Sequence, residues 1–535
     1  MNKATLGSFE LPCSSAGGAI ALLLGAYLHY WVFKVVYRLY FHPLAKFPGP
    51  KLAGATYLYE AYYDLYPHKL RYLWQIEKLH QQYGPILRIN PAHLHIHDPD
   101  FLDGIYSSGN RHKRNRDAWF YRSERDGPLG WSLFQTVEHD VHRLRRAALS
   151  PFFSKRNIHA LEGLVLGKID ELVARLAAAH RTGEVVPLLH ATGGPHHGHH
   201  LRLRDVRKLQ QADWAGKELE AYSKLSQLGP FGRHFAWLSK MVLVMLPMSM
   251  VEKISPAAAL IPRNRAFFKG LIQDALKGEG STGKEKAPHR TIFQDIVQSN
   301  LPASEKAPAR LSAEANLLQI AGTETTARTL AVLIFYLVYS PGVLDRLRSE
   351  LKPYTEPGSV IHLADLEALP YFSAVVTEGI RICHVVSSRM PRYAPDEEIK
   401  YGEWVIPAGT PVSQSHYLHH TNPQIFPDPH EFKPQRWLDD PDLKIKYFMG
   451  FGRGTRICLG INFEVVPLAK NYVSLVYAEL FLTVASVMTR FDIELFETIK
   501  SRDVDVVRDC IIGLPSPESP GIRVRIVKDK LAAAS

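Results

Sequence analysis

The pattern of apolar and polar residues opens with one long apolar run. Residues 17–33 are almost wholly apolar, and the run continues to residue 41 when Lys34 and Arg38 extend their apolar stems toward water. About 20 apolar residues are enough to span a bilayer as a helix. We therefore predict a short N-terminal segment, residues 1–16, and then a transmembrane anchor, residues 17–41; a cleaved signal peptide is the alternative.

A proline-rich connector follows the apolar run. Residues 42–51 contain three prolines, which disfavour a helix and predict a stiff hinge. Cations are scarce before the run and frequent after it, and this asymmetry orients the N-terminus outward and the bulk of the chain toward the cytosol. The remaining residues, 52–535, are predicted to form one large domain.

Beyond the hinge, two helical patterns and one hairpin stand out. Residues 138–150 are predicted as a basic helix and residues 318–338 as a long apolar helix. Residues 85–97 predict a hairpin in which Leu94 and Ile96 alternate with three histidines. We interpret these histidines as the polar side of an edge strand, with a metal site as the alternative; they are His93, His95 and His97.

Composition narrows the possible partners. A chain of 535 residues with 46% hydrophobic residues has ample material for a globular core. The net charge of +11 suits an anionic membrane surface or an acidic protein partner. Nucleic acid is not expected, because no run of Lys and Arg interleaved with aromatic residues occurs. The four cysteines are far apart and form no Cys-x-x-Cys pair, which favours a reducing compartment.

The strongest chemical signal is one cysteine in a glycine-rich stretch. Cys458 has Arg456 two residues before it, and nearby cations favour the thiolate that binds metals. The surrounding glycines permit tight turns and close approach to a flat ligand, and Phe451 is placed to shield the sulfur from water. A shielded thiolate suits the proximal side of a haem iron, where it favours O–O cleavage. The alternative is a small buried apolar residue.

Residues 451–460 fill every fixed position of the pattern Phe-x-x-Gly-x-Arg-x-Cys-x-Gly. In these residues the chain resembles the cytochrome P-450 superfamily of haem-thiolate monooxygenases. The resemblance implies a cytochrome P-450 fold, mainly α with a small β portion, behind one N-terminal transmembrane helix. It also implies a haem b cofactor with Cys458 as the axial ligand of the iron and Phe451 beside it. Residues 43–63 and 111–125 resemble fungal microsomal members of secondary metabolism, the trichodiene-oxygenase-like group among them.

An unusual stretch interrupts the long apolar helix. Gly322 weakens a helix by about 1 kcal/mol relative to Ala, and threonine hydroxyls bond back to carbonyls and bend it. A local rule broken in a core often marks a functional site. The stretch matches the family motif Ala-Gly-x-[Asp/Glu]-Thr-Thr, and the resemblance implies that Glu324 and Thr325 manage protons on the distal side of the haem. By the same resemblance Ala321 lines the substrate pocket.

Three further groups of residues take their roles from the resemblance. Glu378 and Arg381 lie three apart on one helical face, and with Arg436 they are implied to form a structural triad. The implied haem-propionate partners are His142, Arg146, Arg392 and Arg456; a solvated basic face is the alternative for the first two. The implied substrate-pocket residues also include Ser387, Ser388 and Met390.

Two stretches depart from the family pattern, and the first is residues 192–211. They have almost no apolar face where the family has an apolar helix. Shifted by one base, codons for the string Gly-Gly-Pro-His-His-Gly-His-His can encode Ala-Leu-Thr-Thr-Asp-Ile, which resembles that helix, and we interpret the stretch as read out of frame. Metal binding by its histidines is the alternative; these are His196, His197, His199 and His200.

The second departure follows the cysteine loop. In the family a helix begins directly behind the haem ligand, whereas Ala478-Glu479-Leu480 arrives here after twelve extra residues, 463–474. Pro467 would break that helix at a cost of about 3 kcal/mol or more. We interpret residues 463–474 as a retained intron or a wrong splice choice, with a real surface insertion as the alternative.

The resemblance implies an NADPH-dependent monooxygenase that hydroxylates or epoxidises a hydrophobic small molecule, such as a terpenoid or polyketide intermediate of fungal secondary metabolism. The implied electron donor is NADPH–cytochrome P-450 reductase, with cytochrome b5 as a further candidate. The implied location is the endoplasmic reticulum membrane, with one membrane pass and the catalytic domain in the cytosol. Two alternatives stay open. A haem-dependent isomerase or dehydratase is disfavoured by the presence of Glu324 and Thr325, and an inactive product of a damaged or mis-spliced gene is favoured by the two departures.

Overall fold

The computed structural model describes most of the chain. The described residues are 16–107, 111–125, 129–196, 214, 216–255, 260–276, 292–354, 361–461 and 474–532. Of the two stretches that depart from the family pattern, only residues 192–196 and Ser474 are among them. The rest of both stretches, with three of the four histidines of the first, and nearly all of the predicted N-terminal segment lie outside the described residues.

Helices make up most of the described fold. In chain order the α-helices are α1 (Ala16–Val36), α2 (Lys51–Ala55), α3 (Leu58–Asp64), α4 (Tyr72–Tyr83), α5 (Leu102–Ile105), α6 (Arg122–Arg125), α7 (His139–Leu149), α8 (Lys155–Thr182), α9 (Leu188–His196), α10 (Gly216–Gln227), α11 (Gly229–His234), α12 (Ala236–Met245), α13 (Met248–Ile254), α14 (Leu260–Leu276), α15 (Ile292–Gln298), α16 (Pro308–Tyr339), α17 (Pro341–Leu351), α18 (Leu363–Glu367), α19 (Pro370–Cys383), α20 (His416–His420), α21 (Arg436–Asp439), α22 (Pro441–Tyr447) and α23 (Leu475–Arg490).

Short strands form one main sheet and three small ones in the described residues. In chain order the strands are β1 (Ile86–Arg88), β2 (Leu94–Ile96), β3 (Asn115–Arg116), β4 (Val186–Pro187), β5 (Arg392–Tyr393), β6 (Ile399–Tyr401), β7 (Trp404–Ile406), β8 (Val412–Ser413), β9 (Phe491–Leu495), β10 (Arg508–Cys510), β11 (Ile512–Leu514) and β12 (Arg523–Asp529). The main sheet has the order β1-β2-β8-β5-β3, with β2 and β8 parallel. The others are β6-β7, β10-β11 and β4-β12-β9. The predicted fold class, mainly α with a small β portion, is confirmed.

The core is built around α16, a helix of 32 residues. Pro308 occupies its first turn, where the missing N–H costs nothing. Residues 326–337 are all buried, and the helix packs against α9, α14, α19 and α23. A helix that is apolar all round needs such burial on every side. α16 therefore carries the unusual stretch at residues 321–326 through the middle of the packed helices.

The histidines around β2 correct the prediction of an edge strand. β2 lies between β1 and β8, and His93 and His95 are buried. One ring nitrogen of His95 lies 2.7 Å from His80, and the other lies 2.9 Å from the Ser415 hydroxyl. These partners replace water for the buried ring, so the prediction of a solvated strand face was wrong. Among the described residues, the one group with the spacing of metal ligands is a different one, Glu60, Asp64 and His234.

The N-terminal apolar helix stands apart from the core. Residues 17–41 form the single continuous helix of the described chain that is long and apolar enough to cross a membrane, and its most apolar part is not buried. The hinge that follows is packed against the domain, because Phe47 is buried and stacks on Trp404. Arg88 donates to the Arg38 carbonyl at 2.7 Å, which ties the end of the helix to the main sheet.

The helix behind the cysteine loop begins at Leu475. Ser474 caps it by accepting a hydrogen bond from the Tyr477 N–H at 3.2 Å. A Cβ atom on Gly460 would lie 3.1 Å from the Val476 side chain. Gly460 is at the end of the cysteine loop and Val476 is in the first turn of α23, so the end of the loop and the start of the helix are neighbours in the fold.

A buried network of charges joins α3 to the segment after α19. Glu60 is fully buried and forms ion pairs with Arg233, at 3.4 Å, and with Arg389. Asp64 pairs with the same Arg233 at 3.4 Å. Burial opposes the ionisation of Glu60, but the charges of Arg389, His234 and Arg233 hold the pKa of its carboxyl below the ordinary value. Losing one partner of such a pair would leave an uncompensated buried charge.

We expect Glu60→Gln to lower the free energy of unfolding by about 3–5 kcal/mol, because Arg233 and Arg389 lose their shared carboxylate while staying buried. Urea-induced unfolding of the full-length protein in detergent measures the change. Glu220→Gln is the matched control, since its pair with Lys224 is exposed to solvent and such pairs contribute at most about 1 kcal/mol. Equal losses in the two variants would contradict this account of the network.

Candidate active site

The cysteine loop is a tight turn closed by its own backbone. The Cys458 N–H donates to the Phe451 carbonyl at 2.9 Å. Gly454 takes a φ of +73°, and a Cβ atom at this position would collide with the Tyr106 carbonyl oxygen. Glycine is required there, because it alone tolerates both the left-handed backbone and the close approach. The loop is thus pressed onto the chain that follows α5, and this contact fixes the place of Cys458.

Cys458 differs from the other described cysteines in its access and its surroundings. Its side chain is exposed, whereas Cys383 and Cys510 are buried. Burial raises the pKa of the Cys383 thiol to about 11 and raises that of Cys510 still further. Desolvation by close neighbours also raises the pKa of Cys458, but backbone N–H groups of the loop and the charge of Arg146 oppose it. Of the described cysteines, Cys458 is the one best placed to ionise and bind a metal.

α7 presents its two predicted residues to different partners. Arg146 donates to the Ile457 carbonyl at 2.6 Å and approaches the Cys458 carbonyl at 3.4 Å. His142 lies one turn earlier and is buried. Burial and then the charges of four arginines lower the pKa of His142; these are Arg456, Arg116, Arg146 and Arg392. The helix face is therefore turned inward, and the alternative of a solvated basic face was wrong for His142.

The arginines beside His142 form a cation cluster, in which Arg116 and Arg392 are buried and Arg456 is half-buried. Arg116 on β3 lies directly opposite Arg392 on β5, and both are buried. Burial and the charges of Arg116 and Arg392 lower the pKa of Arg456 to about 8. Arg456 donates to backbone carbonyls of Thr136 and Val137 at 2.5 and 2.6 Å. In the described part of the chain, neither Arg392 nor Arg456 forms an ion pair with a carboxylate.

The charges of Arg392 and Arg456 are not balanced by a carboxylate among the described residues. Arg116 and Arg392 repel each other, because like charges directly opposite on paired strands destabilise the pair. The backbone carbonyls that accept from Arg456 compensate only in part for the water that its guanidinium has lost. The Nε atom of Arg456 has no hydrogen-bond partner among the described residues. A ligand with negative charge and several acceptor oxygens would complete it. Arg116 was not among the predicted residues, because it is one of many cations in residues 111–125 and only its pairing with β5 distinguishes it.

In its middle, α16 is open to solvent at a short stretch. Ala321 is exposed and Thr325 is partly exposed, although the helix is buried further along. The Thr325 hydroxyl donates to the Ala321 carbonyl at 2.7 Å, so it is satisfied within the helix. Glu324, the residue before it, is buried. The threonine and the glutamate therefore lie on different sides of the helix.

α23 connects this stretch of α16 to the cysteine loop. The Thr326 hydroxyl donates to the Glu479 carboxylate at 3.2 Å. Two residues earlier on α23, the Tyr477 ring lies 5.5 Å from the ring of Phe451. The same helix thus touches the residue next to Thr325 and the aromatic residue of the loop.

The three residues of the predicted triad meet in the structure. Arg381 Nη2 and Nε donate to the two oxygens of Glu378 at 2.7 and 2.8 Å, and both side chains are fully buried. Arg436 Nε lies 3.2 Å from Glu378 Oε1. The Trp437 indole donates to the same carboxylate at 2.9 Å. Every charge in this group has several partners, which is the arrangement that a buried ion pair needs to be stable.

Of the three predicted pocket residues after α19, Ser388 lines a small polar cavity. The Ser387 hydroxyl donates to Asp509 on β10 at 2.8 Å, and Ser388 and Asp509 both line the cavity. Met390 Sδ accepts a hydrogen bond from the Tyr121 hydroxyl at 3.2 Å. Desolvation raises the pKa of Asp509 to about 6, although bonds from Ser387 and Ser388 oppose it. Asp509 was not among the predicted residues, since no motif marks it.

Comparison with known proteins adds an independent line of evidence. A family model described as Cytochrome P-450 matches residues 226–511. The chain is 36% identical over 529 residues to Cytochrome P-450 monooxygenase tpcC of Cochliobolus heterostrophus, covering 95% of this chain and 97% of that protein. It is 36% identical over 511 residues to Fusicoccadiene C-8 hydroxylase of Phomopsis amygdali, covering 93% and 94%. Cytochrome P-450 monooxygenase TRI4 of Trichoderma arundinaceum is also 36% identical, over 541 residues, covering 97% and 98%.

The accessible thiol, the cation cluster and these similarities agree, and the chain belongs to the cytochrome P-450 family. The predicted resemblance to fungal members is confirmed, and the chain is a cytochrome P-450 monooxygenase. The family implies a haem with thiolate-bound iron. The residues of this chain fit that group, because an exposed thiol lies two residues from Arg456, and neither Arg456 nor Arg392 pairs with a carboxylate among the described residues.

Asp509 gives a pH-dependent prediction. Its carboxyl has a raised pKa of about 6 in the folded protein, so the folded state binds this proton more tightly than the unfolded state does. The resulting contribution to stability is lost as the pH rises from the pKa of the carboxyl in the unfolded chain through 6. Asp509→Asn removes this titration. We expect the difference in the free energy of unfolding, variant minus wild type, to rise by about 2 kcal/mol between pH 4.5 and pH 7.5. Urea unfolding of both proteins at the two pH values measures the difference, and a constant difference would show that Asp509 ionises normally.

Proposed function

We propose that the protein is a membrane-anchored haem-thiolate enzyme that uses dioxygen and NADPH-derived electrons to hydroxylate or epoxidise a hydrophobic small molecule. The observation that carries the proposal is the accessible Cys458 thiol beside the buried cation cluster. The proposed substrate is a terpenoid or polyketide intermediate of fungal secondary metabolism, and the relative named as a fusicoccadiene hydroxylase supports the terpenoid class. The proposed electron donor is NADPH–cytochrome P-450 reductase, with cytochrome b5 as a further candidate.

The haem-binding roles follow from position. Bound haem would supply the iron that activates dioxygen, and the Cys458 sulfur would hold that iron as a thiolate. The Phe451 carbonyl accepts the Cys458 N–H, and its ring would shield the sulfur once haem is bound. Arg146 holds the loop carbonyls that set the position of the sulfur. Anionic propionates would complete the cation cluster. Their proposed partners are His142, Arg392 and Arg456, to which the structure adds Arg116, with Arg146 bordering them.

The proton-handling roles belong to α16. The Thr325 hydroxyl holds a proton at Oγ1 on the open stretch of the helix, and Glu324 supplies protons from the buried side. Ala321 leaves room beside them for substrate. Ser387, Ser388 and Met390 form the opposite wall in this proposal. A haem-dependent isomerase or dehydratase would need no such acid and hydroxyl pair.

The proposed structural roles concern the proximal side and the membrane. The Glu378 triad braces the fold, because its buried charges are fully partnered. Residues 17–41 anchor the protein in the endoplasmic reticulum membrane, and the cations after them keep the domain in the cytosol. Exposed apolar residues on α11 and α12, next to α3, extend the surface that would face lipid; they are Phe231, Trp237, Met241 and Met245.

We also propose that residues 463–474 are an insertion that the domain does not need. The contact between Gly460 and Val476 supports this, because the chain leaves the loop and enters α23 at neighbouring places. Removing residues 463–474 would bring Asn462 directly before Leu475 in place of the capping Ser474. Asn and Ser are equally good N-cap residues, so α23 would keep its cap. The proposed origin of these residues is a retained intron or a wrong splice choice, and a real surface insertion is the alternative.

The reduced, carbon-monoxide-bound absorption spectrum tests the proposed function. We expect a red-shifted Soret band that Cys458→Ser abolishes, because a hydroxyl does not replace the thiolate. Cys510→Ala is the matched control and should keep the band, since Cys510 is buried away from the loop. A band that survives Cys458→Ser would overturn the ligand assignment.

The same spectrum of the protein lacking residues 463–474 tests the insertion: a band only in the shortened form would identify the full-length sequence as a mis-spliced product.

Deletion of residues 1–41 tests the anchor. We expect the full-length protein to stay in the membrane pellet after alkaline carbonate washing and the truncated protein to be released. The reason is that one apolar helix, residues 17–41, is proposed to hold the protein in the bilayer. A truncated protein that keeps its Soret band provides the folding control. Retention of the truncated form after carbonate washing would show a second membrane-embedded element.

A further inference from the structure

The N-terminal apolar helix meets the domain at a place rich in cations. Residues 16–59 contain four Lys and Arg residues and no Asp or Glu. Arg38 lies in the helical turn Tyr37–Phe41 that follows α1, and His42 comes directly after that turn. Arg88 on β1 donates from Nη1 to the Arg38 carbonyl at 2.7 Å. We call Arg38, His42 and Arg88 the cationic junction.

Arg88 is a buried cation that no carboxylate balances. Its Nη1 and Nη2 atoms donate to the carbonyls of Arg38 and Pro91, each at 2.7 Å, and its Nε atom has no hydrogen-bond partner among the described residues. Burial and then the charge of Arg38 lower the pKa of its guanidinium to about 10. The group that opposes this shift is the Tyr57 phenol, which is itself neutral because its pKa is raised to about 12.

A structural role alone does not explain this arrangement. Arg381 is also buried, but all three of its guanidinium nitrogens donate hydrogen bonds and it pairs with Glu378. Binding the end of the N-terminal helix accounts for one nitrogen of Arg88 and leaves its charge unbalanced. Carbonyl groups compensate a buried cation only in part, so a counter-anion would stabilise Arg88 further.

Arg38 and His42 have hydrogen-bond donors available. Arg38 is half-buried; its Nη1 donates to the Ala55 carbonyl at 2.8 Å, and its other nitrogens form no hydrogen bond with a described residue. The Leu44 N–H donates to His42 Nδ1 at 3.1 Å, so the proton of the neutral ring is on Nε2. Burial and then the charges of Arg88 and Arg38 lower the pKa of His42, which keeps the ring neutral. An anion with several acceptor oxygens suits such a set of donors.

The position of the junction indicates where the anion comes from. Arg38 is at the domain end of residues 17–41, and in the proposed anchor this is the level of the lipid headgroups. The cytosolic leaflet carries anionic phospholipids, which attract basic residues near its surface. The planar fork of a guanidinium matches the oxygens of a phosphate. A phospholipid headgroup therefore has both the chemistry and the location that the junction requires.

We propose that the cationic junction binds the phosphate of one anionic phospholipid of the cytosolic leaflet. Arg38 and His42 Nε2 donate to the phosphate oxygens, and Arg88 supplies the buried charge that attracts them. The lipid then links the anchor to the main sheet, because cations of both act on the same phosphate. The inference rests on the proposed membrane anchor and concerns neither the haem nor the substrate.

Native mass spectrometry of the full-length protein in phosphatidylcholine nanodiscs tests the inference. The probe is phosphatidic acid, whose phosphate carries no further headgroup, added in increasing amounts. We expect the wild-type protein to retain one phosphatidic acid in preference to phosphatidylcholine. Arg38→Gln should weaken this binding at least about tenfold, because charge-assisted hydrogen bonds to the phosphate are lost. Unchanged binding in Arg38→Gln would overturn the proposal.

Arg88 is tested separately, because it also bonds within the domain. Arg88→Lys keeps the buried charge and should bind phosphatidic acid nearly as well as wild type, whereas Arg88→Gln should bind it several times more weakly. Circular dichroism shows whether Arg88→Gln is folded. Wild-type binding by a folded Arg88→Gln would overturn the role of Arg88, and if this variant does not fold, Arg38→Gln and its control decide the proposal.

Lys46→Gln is the matched control for Arg38→Gln. Lys46 lies in the same connector as His42, and its side chain is exposed. The substitution removes the same charge, so it weakens a general attraction between this cationic chain and anionic lipid as much as Arg38→Gln does. We expect the preference for phosphatidic acid to survive in Lys46→Gln. Equal losses in the two variants would identify a general attraction only and overturn the site.

Two further measurements separate the lipid from free phosphate and the site from the anchor. In detergent without lipid, we expect phosphatidic acid, and not inorganic phosphate, to raise the midpoint of thermal unfolding of the wild-type protein. Equal stabilisation by both would identify a site for free phosphate and overturn the lipid assignment. Release of the full-length protein by carbonate washing would overturn the anchor itself. Retention of a protein that shows no preference for phosphatidic acid would overturn the junction site alone.

Discussion

The repulsion among buried arginines is the constraint on which the site depends. Arg116 and Arg392 lie directly opposite each other on β3 and β5, and Arg456 joins them from the cysteine loop. A protein without a ligand gains nothing from such an arrangement, because burying like charges together opposes folding. Arg392 and Arg456, which pair with no carboxylate among the described residues, make sense as one half of a salt link whose other half is an anionic group. Cofactor binding and folding are therefore coupled, since the group that binds only the folded state also stabilises it.

The sequence was enough to predict the chemistry of the centre but not its charge balance. The loop motif identified Cys458, and the structure shows why its glycines are needed, because Gly454 has no room for a side chain. Arg116 escaped prediction, since its importance arises from a strand pairing between residues almost 280 positions apart in the sequence. Spacing along the chain carries no information about such pairings. Asp509 and Arg88 escaped for a similar reason, because isolated charged residues have no pattern before their surroundings are known.

The fold class was easier to predict than the details of burial. The long apolar pattern at residues 318–338 predicted a helix, and the structure has α16 there. A long apolar helix must be buried among other elements, so its sequence alone indicates its place in the core. The alternation of histidines around β2 suggested a solvated face and was misleading. The buried rings bond to one another and to Ser415, so a polar residue at alternate positions does not by itself mean solvent. Whether a polar side chain in a strand faces solvent or is buried depends on hydrogen-bond partners from distant segments of the chain.

The packed hinge has a consequence for the way the whole molecule sits. Phe47 is buried against Trp404, and Arg88 bonds the last turn of the apolar helix through Arg38. These contacts hold the connector against the domain and restrict the angle between the helix axis and the domain. With the helix in a bilayer, as proposed, one face of the domain would stay nearest the lipid.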